Sequence, residues 1–182
     1  MRGLWAALVL ATPALAAPAL ADSPAIPRFV MEPDAIPHTF AGGWEFMVGG
    51  GVAVFDCSGD GLPEVFVAGG ENPSALFLNR STDSLRFDRA DASWLEMDMV
   101  SGAYPLDIDG DGVTDLAVLR VGEARLMRGL GGCQFTDASA EWGFQSRDIW
   151  HSAFAATWEA GANWPTLAFG SYIDRAQEMF PW

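Results

Sequence analysis

Four aspartates stand within nine residues, at Asp107, Asp109, Asp111 and Asp115, with Gly110 and Gly112 between them. Alternate side chains of a tight loop can turn toward one centre. Carboxylates gathered that closely repel one another unless a cation lies among them. A shell made only of oxygen suits a hard ion, and a flexible group of carboxylates suits Ca²⁺ better than Mg²⁺. Gly112 permits the sharp turn that would bring the backbone carbonyl of Val113 into the shell.

The loop is not of the EF-hand kind. That motif needs an acid at its twelfth position, which here is Val118, and helices on both sides. Instead Tyr104-Pro105-Leu106 leads in. Leu116-Ala117-Val118-Leu119 leads out, apolar and branched like a buried strand. The expectation is a calcium-clamped turn between two strands. The alternative is a solvated acidic turn with no metal.

The elements that carry this loop repeat along the chain. Asp56-Cys57-Ser58-Gly59-Asp60-Gly61-Leu62-Pro63-Glu64 has the same layout and begins 51 residues earlier. A further 51 residues on, Trp158 opens a third copy. There Gly161 and Pro165 keep their places, and Leu167-Ala168-Phe169 keeps the apolar run. Trp158, Ala160, Ala162 and Thr166 occupy the ligand positions, so the scaffold is expected to persist without the metal chemistry.

A short strand is expected before each loop, in 51–55, 102–106 and 153–157, and another after it. Third strands are expected at Ala75 to Leu78 and Arg125 to Met127, and fourth strands at Arg86 to Asp88 and Gln134 to Asp137. Four short strands in about 50 residues is the pattern of a β-propeller blade. The predicted fold is all-β, with blades of four antiparallel strands, as an incomplete propeller of about two and a half blades. The units are 51–101, 102–151 and 152–182. Residues 92–97 and 139–144 are expected to be single helical turns or coil, with their tryptophans capping the core. Residues 22–50 form a proline-rich leader, in which Phe40 to Val48 could add an edge strand.

Residues 1–21 have the features of an export signal. Arg2 is followed by an apolar stretch, and Ala19-Leu20-Ala21 is a small-x-small cleavage site. Cleavage after Ala21 would leave 161 of the 182 residues and a net charge of −15 in place of −14. The mature chain is then secreted or periplasmic, with no membrane span. There is no lysine, and so acidic a chain is not expected to grip nucleic acid. Export permits a disulfide between Cys57 and Cys133, but they fall at different points of their units, so pairing and two separate thiols both stay open.

The loops, their flanking strands and their spacing resemble the FG-GAP/VCBS repeats of secreted and integrin-type β-propellers. Gly49 to Asp56, with Ala68 to Asn72 after the first loop, resembles more narrowly the bacterial cartilage-acidic-protein-like secreted proteins, which often carry an ASPIC/UnbV segment. The resemblance implies structural Ca²⁺ between the first two strands of a blade. By position, the ligands in the second unit would be Asp107, Asp109, Asp111, the carbonyl of Val113 and Asp115. In the first they would be Asp56, Ser58, Asp60, the carbonyl of Leu62 and Glu64. Ser58 departs from the usual acid or amide and should weaken its site. The third loop departs fully.

Catalytic motifs are harder to find. His38 and His151 are the only histidines, and neither sits in a nucleophile motif. Asn79-Arg80-Ser81 matches a glycosylation sequon by pattern alone. The expected function is an exported, calcium-stabilised module that binds or adheres to a protein or glycan. Further blades or self-association would complete the propeller. The alternatives are a fragment of a propeller enzyme acting on polysaccharide, or a truncated chain without function.

Overall fold

The structure, a computed structural model, describes residues 26–47 and 49–174. The export signal at 1–21 lies outside them. The chain divides near residue 31 into two units. Of the first unit, residues 26–31 are exposed and carry no regular structure. Everything below concerns the second.

Alternation of apolar residues, broken by acidic and glycine-rich turns, produces short antiparallel strands. Strands β1 (Val52–Phe55), β2 (Glu64–Val67), β3 (Ala75–Asn79) and β4 (Phe87–Arg89) form one sheet in simple meander order. Register pairs Val54 with Val65, Val65 with Phe77, and Phe77 with Arg89. Strands β5 (Val100–Leu106), β6 (Asp115–Gly122), β7 (Arg125–Gly129) and β8 (Phe135–Asp137) repeat the meander. A hairpin follows, β9 (Ile149–Thr157) with β10 (Thr166–Ser171), and the start of β9 pairs with the end of β6 through Val121 and Trp150. Among the described residues there is no α-helix. Strand β5 starts at Val100 and β9 at Ile149, two and three residues before the expected units at 102 and 152.

The sheets stack face on face, as neighbouring blades do. Phe55, Phe66 and Leu76 of the first sheet pack with Val100, Leu116, Val118, Met127 and Phe135 of the second. On the far face of the second sheet, Ile108, Ala117 and Leu126 pack against Phe154, Leu167 and Phe169 of the hairpin. Strand β6 is therefore covered on both faces, which explains its continuous apolar run. The first strands lie side by side, β1 against β5 and β5 against β9. Gly51 is required there: a Cβ on it would stand 2.7 Å from the Gly102 Cα. Two four-strand meanders and a two-strand hairpin make the chain all-β and antiparallel, consistent with propeller-type repeats. The described strands do not close into a ring.

The leader differs from expectation. Ala41 makes one isolated bridge with Gly70, and Trp44–Phe46 is a 3-10 turn, so Phe40 to Met47 adds no edge strand. Gly42 has φ +151° and its Cβ position is filled by the Phe46 ring, so the chain curls where a strand would run straight. Ile36 is tied down instead, packing on Val65, Val67 and Phe77. The first inter-blade link is a 3-10 turn at Ser93–Leu95, with Leu95 fully buried. Trp94 and Trp142 pack against the two cores, as expected of caps.

Candidate metal centre

The first residue of each acidic loop sets its turn. Asp107 accepts the N–H of Gly110 on Oδ1 at 2.8 Å and that of Gly112 on Oδ2 at 3.0 Å. Asp56 repeats this with Gly59 at 2.7 Å and Gly61 at 2.8 Å. All four glycines have φ between +78° and +83°, a region that other residues resist. The Gly61 and Gly59 amides hold the Asp56 carboxyl below its usual range. The fifth position repeats as well: Asp60 accepts from Leu62 N at 2.8 Å and Asp111 from Val113 N at 2.7 Å. The two loops thus share a hydrogen-bond scheme, which is the repeat expressed at atomic level.

The ninth position opens the second strand and is buried. Asp115 accepts from Ile108 N at 2.7 Å and from Gly129 N at 2.8 Å, one on each oxygen. Glu64 accepts from Cys57 N at 2.9 Å and Ser58 N at 3.3 Å, both on Oε2. Its Oε1 is buried with no hydrogen-bond partner.

In the second loop the acids converge. Carboxylate oxygens of Asp107, Asp109 and Asp115 lie within 4.8 Å of one another. Oxygens that share a calcium ion, each about 2.3–2.6 Å from it, are spaced on this scale. Burial pushes the Asp115 carboxyl up, against the pull of the Gly129 and Ile108 amides, and the charges of Asp109 and Asp111 push it further. A cation among these oxygens would relieve both effects, so the donor set fits Ca²⁺. Asp111 lies outside the trio, and Val113 enters the loop's hydrogen bonding as a donor to Asp111.

The first loop is less gathered. Asp56, Asp60 and Glu64 form no comparable trio among the described residues. Ser58 turns its hydroxyl to Asp56 Oδ1 at 3.4 Å, and Leu62 contributes its N–H to Asp60. The longer Glu64 side chain reaches back to the amides of Cys57 and Ser58. Its orphaned Oε1 is the feature of this loop that suits a cation. In the third loop, which lacks the acids of the other two, Thr166 Oγ1 donates to Glu159 Oε1 at 3.0 Å. Gly161 keeps φ +83°, so the turn survives.

Several features were not fixed by the sequence. Cys57 and Cys133 form a disulfide that joins the second position of the first loop to the turn before β8. Their sulfurs lie near Glu64, but as a disulfide they offer no thiolate to a metal. Arg128 on β7 donates to Asp109 at 3.0 Å and to both oxygens of Glu141 at 2.9 Å, with its guanidinium 5.0 Å from the Trp142 ring centre. Ser146 Oγ lies 3.0 Å from His151 Nε2, which also lies 3.3 Å from the Arg147 carbonyl. His38 Nε2 lies 3.0 Å from the Ala68 carbonyl. Asn79 of the sequon is buried and donates to the Pro63 carbonyl, so its amide is engaged in the fold.

Residues 56–118 match the family model of the FG-GAP-like repeat. The match runs from the first residue of the first loop into β6, taking in both acidic loops. That stretch is similar to the FG-GAP-like repeat and lies on an all-β scaffold. No curated protein and no solved structure gives a significant match to the chain.

Proposed function

We propose that this chain is an exported FG-GAP-repeat module, stabilised by structural Ca²⁺, that binds or adheres to a protein or glycan. The observation that carries the calcium reading is the convergence of Asp107, Asp109 and Asp115 oxygens within 4.8 Å at the mouth of a blade. Asp111 and the Val113 carbonyl complete that shell in the proposal. Asp56, Ser58, Asp60, the Leu62 carbonyl and Glu64 form a second, weaker one. The ion cross-links the ends of two strands and offsets carboxylate repulsion. Extracellular modules can use weak sites, because calcium is plentiful outside the cytosol.

Export rests on the signal-like residues 1–21. No helix among the described residues is long and apolar enough to cross a membrane. The narrower likeness to cartilage-acidic-protein-like secreted proteins rests on Gly49 to Asp56 and Ala68 to Asn72. A binding role is supported over catalysis by how the polar groups are used. The acids are engaged in the loops, and the Ser146–His151 pair sits on a buried ring that also meets the Arg147 carbonyl. Among the described residues β10 ends its sheet, and its open edge is where further blades or a second copy would be added.

Thermal melting in EGTA and in millimolar calcium tests the first half of this reading. Calcium should raise the midpoint, and an unchanged midpoint counts against bound calcium. A glycan array tests the second half. Retention without product formation agrees with a binding module, whereas turnover of a polysaccharide makes the chain an enzyme.

A further inference from the structure

Arg128 lies at the border of the second loop, one residue before Gly129, whose amide holds Asp115. Its Nε donates to Asp109 Oδ2 at 3.0 Å, and Asp109 is one of the three convergent acids. The same guanidinium is held from its other side by both oxygens of Glu141 and packs on Trp142. The Arg128 and Asp109 side chains are only 24% and 13% exposed, so solvent screens the pair less than a surface ion pair. The first loop carries Ser58 at the place of Asp109, and the residue matching Arg128 in sheet register is Leu78 on β3. The arginine therefore accompanies only the loop with the extra acid.

We propose that Arg128 is a built-in counter-cation that sets the calcium affinity of the second loop, weakening it by occupying Asp109 and by placing a positive charge beside the ion. This rests on the calcium reading above. Two effects act in the same direction. Calcium must compete with the guanidinium for the Asp109 carboxylate, and a bound divalent ion is repelled by it. Glu141 opposes both, because it draws the guanidinium away and neutralises part of its charge. Removing either partner should therefore move affinity in opposite directions.

Calorimetric titration of the whole chain with calcium chloride tests this, with the second-loop heat assigned by its loss in Asp107→Asn. Arg128→Gln should tighten that site on the order of fivefold, within the usual range of coupling between sites. Glu141→Gln should weaken it. Arg128→Lys keeps the charge without the two-sided grip and should remain within about twofold of the parent. Circular dichroism in EGTA checks that each variant is folded before titration. If Arg128→Gln binds calcium equally or more weakly, Arg128 merely positions Asp109 and the inference fails. If Glu141→Gln tightens the site, the inference fails as well. If the parent chain takes up no calcium, the calcium reading itself falls and this inference with it, a result distinct from the other two.

Discussion

The backbone N–H of Cys133 donates to the carbonyl of Cys57 at 3.0 Å, and the two side chains are joined by a disulfide with Cα atoms 4.7 Å apart. The bridge links the first blade's acidic loop to the second blade's outer turn across 76 residues. Such a cross-link removes chain entropy from the unfolded state, worth about 4 kcal/mol for a loop of this length. Cys57→Ser with Cys133→Ser should lower stability by an amount of this order, read by urea denaturation. The same loss is expected for the parent chain after reduction. Loss of only a few tenths of a kcal/mol would mean that the blade interface fixes this geometry without the bridge.

Asp107 serves the turn whether or not an ion is present. Asp107→Ala removes the acceptors for Gly110 and Gly112 together. A loss of about 1–2 kcal/mol is expected in EGTA, on the scale of a lost cap. In calcium the gap to the parent should widen, because the variant also loses a ligand. Denaturation in both conditions separates the two contributions. Equal gaps would assign Asp107 to the turn alone.

The loops and most strands were legible because they are local. Asp107 with Gly110 and Gly112 specifies a turn from its own neighbours, and β6 shows its burial in an unbroken apolar run. The persistence of the third loop was legible in Gly161 and Pro165. What depends on how the blades stack was not. The pairing of Cys57 with Cys133 is decided by the packing of one sheet on the next. The grip of Arg128 on Asp109 crosses 19 residues and follows from the β6–β7 register. The expected edge strand failed because Gly42 and Phe46 make a local turn that competes with sheet pairing. Nor did residue type reveal that Glu64 and Asp115 differ in the use of their second oxygen, which depends on one methylene of length.

Gly129 allows the close approach that satisfies Asp115. A Cβ there would overlap the Thr114 carbonyl oxygen and crowd a Val113 methyl at 2.9 Å. Gly129→Ala should force β7 away from the loop and stretch the Gly129 N–H bond to Asp115. The expected cost is about 1–3 kcal/mol by overpacking. Weaker calcium stabilisation should accompany it, because Asp115 loses its fixed orientation. Melting in EGTA and calcium checks both effects. A variant as stable as the parent, with the same calcium response, would show that the strand can shift without disturbing the site.

His151 should make stability depend on pH. Its ring is buried beside Phe169, and Nδ1 has no hydrogen-bond partner. Burial lowers its pKa from the ordinary 6.5, with the Arg147 carbonyl opposing the shift. The unfolded chain therefore binds the proton more readily than the folded one, so stability rises with pH across this titration. The contribution is complete above about pH 6.5 and is lost as pH falls through the lower folded value. Urea denaturation at pH 7.5 and 5.5 in EGTA should show the parent chain weakening at the lower pH. His151→Gln, which cannot take up a proton, should weaken less over the same interval. Equal losses in the two chains would place the pH dependence elsewhere.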